Sequence, residues 1–258
     1  MGNTTKREIQ GQDADERDLL ALIPKEQLAR TMEQQVHVLR KGVICTTEKR
    51  ARKRSPTEIV LTATEGFIPL WAENQVLRWG FNMESLRLLQ RADSIESKIR
   101  ALLNDAVTAW GDAVPIRFKE NPDNSDFEFV VERHTDCAPG LGCTLASAFL
   151  PDAGRHQFYI YPTMFEQSLK EQVDTMAHEF GHIFGLRHFF APENETQWPS
   201  EVFGEHKPFS IMNYGKYSEL TPADQRDLKN LYTGVWSGRI REINRTPIKL
   251  VYPFSGRT

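Results

Sequence analysis

Three histidines lie in one short stretch of this sequence, with a glutamate and a glycine at fixed positions between them. The stretch runs His178-Glu179-x-x-His182-x-x-Gly185-x-x-His188. In an α-helix, residues four apart lie on nearly the same face, about 6 Å from each other. The imidazoles of His178 and His182 can therefore reach one metal ion, and Glu179 faces the same cleft.

The third histidine constrains how this helix ends. If the helix continued through residue 188, the step of six residues from His182 would rotate the chain by about 600° and leave His188 about 120° away from the ligand face. Gly185 removes that difficulty, because glycine adopts the left-handed conformation that ends a helix and redirects the chain. Three imidazoles can then occupy three corners of a zinc tetrahedron and leave the fourth for water.

Composition excludes several classes of protein. The chain has 258 residues, of which 40% are hydrophobic and 26% are charged, and such a composition is typical of a globular protein with a buried core. The formal net charge of -3 gives no general attraction for nucleic acid or an acidic membrane. The longest apolar runs are only a few residues long, whereas a bilayer span needs roughly 20. We therefore expect neither a nucleic-acid partner nor a membrane segment.

Residues 1–58 form a polar, charge-rich N-terminal extension. Apolar residues at helical spacing over residues 19–39 indicate one or two amphipathic helices. The extension ends in a basic run at residues 49–54, which we interpret as a solvated linker, with a processing site that releases a pro-segment or a nuclear-localisation signal as alternatives. Because no apolar signal segment is visible, we expect an intracellular protein, cytoplasmic or nuclear, unless a leader precedes this sequence.

From about residue 68 the pattern changes to short strands and two long helices. Asp93-Ser94-Ile95-Glu96 predicts the start of the first helix as a capping box. The second helix carries the histidines, and Thr163 with Glu166 is a candidate capping box in front of it. The predicted strands cover residues 76–81, 116–118, 126–131, 144–149 and 158–161. Several strands between two helices indicate an α+β fold with a mixed sheet.

The histidine stretch is followed by Ser210-Ile211-Met212-Asn213-Tyr214, and the two together resemble the signature of metzincin metallopeptidases with their Met-turn. Residues 144–151, TLASAFLP, and residues 220–224, LTPAD, resemble the matrix-metalloprotease type of catalytic domain. The likeness spans residues 68–233. Tyr214, two residues after Met212, departs from that type and is similar to the tyrosine of astacins and serralysins.

The resemblance implies an α+β, metzincin-like catalytic domain over residues 59–258, with a C-terminal tail from about residue 234. It implies a twisted, mostly parallel sheet of about five strands, an active-site helix, the Met-turn and a C-terminal helix. An edge strand of that sheet would bind substrate by backbone hydrogen bonds. The residues implied in that strand are Leu145, Ala146, Ser147 and Ala148.

The resemblance also implies a zinc-dependent endopeptidase with one catalytic ion, held by His178, His182 and His188. Glu179 is the implied general base. Tyr214 is implied as an extra zinc ligand that swings away and donates to the substrate oxyanion, with packing inside the turn as the alternative. Gly185 and Met212 are implied as structural residues, Met212 as a hydrophobic floor beneath the ion.

A second metal site is not expected. The matrix-metalloprotease type carries an additional zinc held by His and Asp residues, and His134 and Asp136 stand at matching places. The central histidine of that site is Ser147 here, however, and His156 is one position out of register. We therefore expect neither a second zinc nor a calcium ion.

The expected partners are peptide or protein substrates, and we expect a monomer. A catalytically silent pseudopeptidase, which keeps the zinc and acts as a protein-interaction module, is the alternative function.

Three cysteines are too few for a disulfide framework. Cys137 and Cys143 could be bridged in an oxidising compartment, but free thiols are the default expectation. Cys45 is a candidate zinc-masking thiolate, or else a buried or free thiol.

Overall fold

The computed structural model of the chain describes residues 66–138, 142–187, 211–212, 219–243 and 245–257. The helices are α1 Met83–Arg87, α2 Ala92–Trp110, α3 Pro162–Phe165, α4 Leu169–Ile183 and α5 Pro222–Trp236. The strands are β1 Ile68–Trp71, β2 Val76–Phe81, β3 Arg117–Glu120, β4 Phe127–Val131, β5 Asp136–Ala138, β6 Gly142–Thr144, β7 Ala146–Ser147, β8 His156–Ile160, β9 Glu242–Ile243 and β10 Thr246–Val251.

A five-stranded mixed sheet in the order β3-β2-β4-β8-β7 forms the centre of the fold. Its first four strands are parallel, and only β7 at the edge is antiparallel to its neighbour, with Ser147 opposite Tyr159. The predicted α+β class and the mostly parallel sheet of five strands are confirmed. The antiparallel β7 is short, and it places residues 146 and 147 at an edge of the sheet.

Helices α2 and α4 form the layer that covers this sheet. The apolar stripe predicted for α2, from Ile95 to Trp110, is buried except for Val107, which is partly buried. Phe180 of α4 packs edge-on against Phe118, with ring centroids 5.1 Å apart, and also against Phe158 of β8. The helix that carries the histidines therefore has one face fixed against the sheet by aromatic side chains.

Both predicted capping boxes in front of these helices are wrong. Helix α2 begins at Ala92, and its N-cap is Arg91, two residues earlier than the predicted Asp93, in a left-handed conformation with φ of 68°. Helix α4 has its capping box at Ser168 and Glu171 instead. The residues in front of it form the short helix α3, because Pro162 supplies the first helical turn.

A disulfide joins Cys137 and Cys143, in contrast to the default expectation of free thiols. The two cysteines lie opposite each other in the antiparallel hairpin of β5 and β6. The bridge therefore closes the hairpin that leads directly into β7.

The residues after α5 complete a second, three-stranded sheet in the order β1-β10-β9. Strand β10 runs parallel to β1, with Ile248 opposite Ile68 and Val251 opposite Trp71. Beyond β10, the backbone N–H and the hydroxyl of Ser255 donate to the buried carboxylate of Asp126 over 2.7 and 2.8 Å. This tail is thus an integral part of the described fold.

None of the helices in the described part of the chain has the length and apolar character needed to cross a lipid bilayer.

Candidate metal centre and active site

His178 and His182 lie on one face of α4, one helical turn apart. Their ring centroids are 5.1 Å apart, and the rings are close to perpendicular. Only 2% of His178 and 0% of His182 is exposed. The helix thus brings together the first two histidines of the predicted ligand set, at a spacing that suits two ligands of one ion.

Backbone carbonyls fix which nitrogen of each ring carries the proton. The Nδ1 of His178 lies 2.7 Å from the carbonyl oxygen of Ile211, and the Nδ1 of His182 lies 2.9 Å from that of Leu186. Because a carbonyl only accepts hydrogen bonds, each Nδ1 carries the hydrogen and each Nε2 carries the lone pair. This is the tautomer and the outer hydrogen bond typical of histidines that ligate zinc through Nε2. The two described histidines therefore fit a zinc ion.

The turn after α4 is built around Gly185. The helix ends at Ile183, and Gly185 has a φ of +91°, in the left-handed region that side chains disfavour. The N–H of Gly185 donates to the carbonyl of His182 and the N–H of Leu186 to that of Gly181, both over 2.9 Å. These two bonds form a Schellman motif, which redirects the chain after residue 185.

Glu179 is anchored to the edge of the main sheet. Its carboxylate oxygen Oε2 accepts a hydrogen bond of 2.8 Å from the backbone N–H of Ala148, and the side chain is buried. Leu145, Ala146 and Ser147 precede this donor and are buried as well. The structure thus brings the predicted general base and the predicted substrate strand into direct contact.

Met212 lies next to α4, the helix that carries His178 and His182 and is called the metal helix below. Its neighbour Ile211 provides the carbonyl that accepts from His178. A Cβ atom on Gly181 would run into the sulfur of Met212, so only glycine fits at position 181 without displacing that side chain. Sequence reasoning missed the role of Gly181, although a glycine inside a helix is a signal of close packing. It also missed the carbonyls of Ile211 and Leu186, which no side-chain pattern reveals.

His188 and Tyr214, the remaining two predicted site residues, lie outside the described residues. Over the ranges that the structure describes, no group of three or more His, Cys, Asp or Glu side chains is arranged to hold a metal ion. The predicted third ligand therefore stays a prediction from the sequence.

The residues weighed for a second metal site have other neighbours. His156 stacks on Phe149 with ring centroids 4.1 Å apart, and its Nε2 lies 2.8 Å from a carboxylate oxygen of Asp152. The carboxylate of Asp136 accepts from the hydroxyl of Thr144 over 2.9 Å. The hydroxyl of Ser147 is buried and has no hydrogen-bond partner among the described residues.

The arrangement of a buried histidine pair, an adjacent glutamate and a glycine turn is accompanied by a family match over residues 71–199. The matched span covers half of the 258 residues and corresponds to the matrixin family of peptidases. The chain belongs to the matrixin family. Matrixins are zinc-dependent metallopeptidases of the metzincin class, and this confirms the resemblance to metzincins.

Two similar proteins with curated descriptions illustrate the match. Human stromelysin-3 is 27% identical over 152 residues, which make up 55% of this chain and 29% of that protein. The hatching enzyme of Paracentrotus lividus is 31% identical over 126 residues, 46% of this chain and 20% of that protein. The chain thus spans less than a third of the length of these relatives.

Two solved structures are also similar to this chain, at low identity. High choriolytic enzyme 1, a hatching-enzyme zinc-protease from the medaka Oryzias latipes, is 14% identical, covers 66% of this chain and 96% of its own, and has a TM-score of 0.37. A structure of myroilysin is 14% identical, covers 63% and 95% of the two chains, and has a TM-score of 0.38.

Proposed function

We propose that this protein is an active zinc endopeptidase that cleaves extended polypeptides. The observation that supports it most strongly is the state of the histidine pair. Both Nδ1 atoms are committed to backbone carbonyls, so both Nε2 lone pairs are set for one ion, and Glu179 follows His178 directly. A helix that carried histidines for packing alone would not need both rings in the same tautomer.

His178, His182 and His188 would hold a single zinc ion, and Met212 packs against the same helix at Gly181. Bound zinc supplies Lewis acidity and lowers the pKa of a water molecule toward neutral pH. We propose Tyr214 as a further ligand in the resting protein and as a hydrogen-bond donor to the oxyanion of the substrate. The Schellman turn at Gly185 supports this set, because it redirects the chain three residues before His188.

Glu179 would move the proton during peptide hydrolysis. Its carboxylate accepts a proton from water and passes it to the leaving amine. The N–H of Ala148 holds Oε2 in place, so the carboxylate has a fixed orientation before substrate arrives. An oriented base is more effective than a mobile one, since proton transfer requires close and aligned groups.

The substrate would lie along β7 at the open edge of the five-stranded sheet. An extended peptide adds there as a further strand and pairs its backbone with Leu145, Ala146, Ser147 and Ala148. Because Ala148 also donates to Glu179, this strand would bring the scissile bond close to the base. This mode of binding selects an extended polypeptide rather than a small molecule.

We further propose that residues 59–258 form the catalytic domain and that residues 1–58 are an extension to it.

The alternative function, a silent zinc-binding pseudopeptidase, has the same fold and the same ion. Denatured casein offered to the zinc-loaded protein, with and without a zinc chelator, separates the two. Cleavage that the chelator abolishes supports the peptidase. If the wild-type protein takes up zinc but cleaves casein no faster than Glu179→Gln does, the result would support the pseudopeptidase.

A further inference from the structure

The last carbonyl groups of α4 need partners from outside the helix, as in any helix that ends in a protein interior. Three of them are satisfied by the turn itself, at distances of 2.8 to 2.9 Å. The carbonyl of Phe180 accepts from the N–H of Phe184, that of Gly181 from the N–H of Leu186, and that of His182 from the N–H of Gly185.

The next two carbonyls bind side chains that are distant in the sequence. The indole N–H of Trp71 donates to the carbonyl of Ile183 over 2.7 Å, and the hydroxyl of Tyr232 donates to the carbonyl of Phe184 over 3.0 Å. Trp71 lies on β1 and Tyr232 on α5, 112 and 48 residues away from their acceptors. Two separate elements of the fold therefore converge on the end of the metal helix.

Trp71 and Tyr232 also bind each other. The backbone N–H of Trp71 donates to the hydroxyl oxygen of Tyr232 over 3.4 Å. Both side chains are completely or almost completely buried. Burial raises the pKa of the Tyr232 hydroxyl far above its ordinary value, so the group keeps its hydrogen and donates to Phe184 over the whole working range of pH.

This pair is connected to His182 through the turn. The turn carries Leu186, whose carbonyl accepts the Nδ1 hydrogen of His182. Leu70, which precedes Trp71 on β1, packs directly behind Gly185. A shift of the carbonyls of residues 183 and 184 would therefore move the group that fixes the tautomer and the orientation of His182.

We infer that Trp71 and Tyr232 are positioning residues of the zinc site. They touch neither substrate nor metal. They hold the end of α4 so that Leu186 binds His182 and Nε2 of His182 stays aimed at the ion. The inference rests on the proposed zinc-binding function, and it adds two residues that lie outside the histidine motif.

The test measures zinc affinity rather than activity. Zinc-free full-length protein is titrated with Zn²⁺ against a chromophoric chelator, for the wild type, Trp71→Phe and Tyr232→Phe. Each substitution keeps an aromatic ring and removes one hydrogen-bond donor. Loss of a group that orients a metal ligand typically lowers metal affinity about 10- to 100-fold, and we expect a loss in that range for both variants.

Trp110→Phe is the matched control. The indole of Trp110 is equally buried and donates to a carbonyl of the same helix, that of Ala177, over 2.9 Å. That carbonyl lies in the middle of α4, so we expect a change in zinc affinity of less than about threefold. The visible spectrum of the Co²⁺-loaded variants gives a second readout, because it reports the geometry of the ligands.

Three outcomes would overturn the inference, and they are distinguishable. Wild-type protein that takes up no zinc would overturn the proposed function and this inference with it. Wild-type zinc uptake with unchanged affinity in Trp71→Phe and Tyr232→Phe would overturn the positioning role alone. An equal loss in Trp110→Phe would show that any donor removed from α4 has the same effect, and would also overturn the positioning role.

Discussion

The backbone N–H of Ala148 donates a 2.8 Å hydrogen bond to Oε2 of Glu179 and so links the edge of the sheet to the metal helix. The donor belongs to the chain segment proposed to bind substrate, and the acceptor is the proposed general base. A shift of the edge strand would therefore move the carboxylate of Glu179, and a shift of the carboxylate would move the edge strand.

Glu179→Gln separates proton transfer from this structural link. The amide oxygen of glutamine still accepts from Ala148 but does not take up a proton at neutral pH. We expect unchanged zinc content and a loss of about 10² to 10⁴ in kcat. Casein hydrolysis and metal content are measured on the same sample. Hydrolysis near the wild-type rate would contradict the assignment of Glu179 as the base.

Glu179→Ala removes the acceptor as well as the base. If the link to Ala148 also orients the substrate strand, this variant should bind a peptide substrate more weakly than Glu179→Gln does. Binding of an uncleaved fluorescent peptide to the two zinc-loaded variants gives the comparison. Equal affinity would show that the hydrogen bond does not contribute to substrate binding.

Gly185→Ala should destabilise the fold by about 1 to 3 kcal/mol, because an L residue is strained at positive φ and its Cβ meets Leu70. The Cβ would lie 2.8 Å from Leu70 Cδ2. Gly238→Ala is the control, since Gly238 also follows a helix at positive φ but has open space around its Cβ position. We expect a smaller loss there, about 1 kcal/mol, and no effect on zinc affinity. Urea denaturation measures the change in the free energy of unfolding, and zinc titration measures the change in zinc affinity.

Glu166 should make stability depend on pH. Burial raises its pKa from 4.5 to about 7, and its Oε1 has no hydrogen-bond partner among the described residues. The folded state then binds a proton that the unfolded state releases, so this contribution to stability is complete below pH 4.5 and is lost as pH rises to about 7. Glu166→Gln should flatten this slope and stabilise the protein at pH 8 by about 1 to 2 kcal/mol, a value reduced for partial exposure.

The measurement is urea unfolding of zinc-free wild type and Glu166→Gln at several pH values between 4 and 8. Zinc is removed because its binding is itself dependent on pH. An identical slope in the two proteins would show that folding does not raise the pKa of Glu166.

Tyr214→Phe tests the proposed oxyanion donor. If the phenol hydroxyl binds the oxyanion, the loss falls mainly on kcat, in the range of about 10- to 10³-fold, while KM and zinc content change little. Steady-state kinetics with a peptide substrate measure both parameters. Unchanged kinetics would favour the packing role of Tyr214 in the turn.

The N-terminal extension is predicted to depress activity by packing over or near the zinc cleft. A chain that begins at Ser55, after the basic run, should show higher activity per bound zinc than the full chain. Limited trypsin cleavage after Arg54 should have the same effect, because exposed basic linkers are readily cut. Equal specific activity of the long and short chains would leave the basic run as a linker or a localisation signal.

The sequence predicted the fold class, the central sheet and the position of the metal helix, because these depend on local periodicity and on one specific motif. The capping residues were missed for a local reason. Pro162 opens a helix of its own in front of α4 and leaves the capping box to Ser168. Asp93 has the neighbours typical of an N-cap, but the N-cap of α2 is Arg91 in a left-handed conformation.

The contacts that support the site could not be predicted from the sequence. The carbonyls of Ile211 and Leu186 are backbone groups, and any residue type could supply them. The donors Trp71 and Tyr232 come from elements far away in the chain. The disulfide between Cys137 and Cys143 depends on the register of a hairpin that periodicity over three-residue strands does not reveal.

Strand β1 pairs with β10, so the first and the last strands of the described fold meet beside the metal helix. Contacts between segments so far apart in sequence form slowly, since a long loop must close before they stabilise anything. During synthesis, Trp71 emerges long before its partner strand exists. If Trp71 and Tyr232 position His182 as proposed, full zinc affinity requires that β1 and α5 have both reached the end of α4, and it is therefore acquired late in folding.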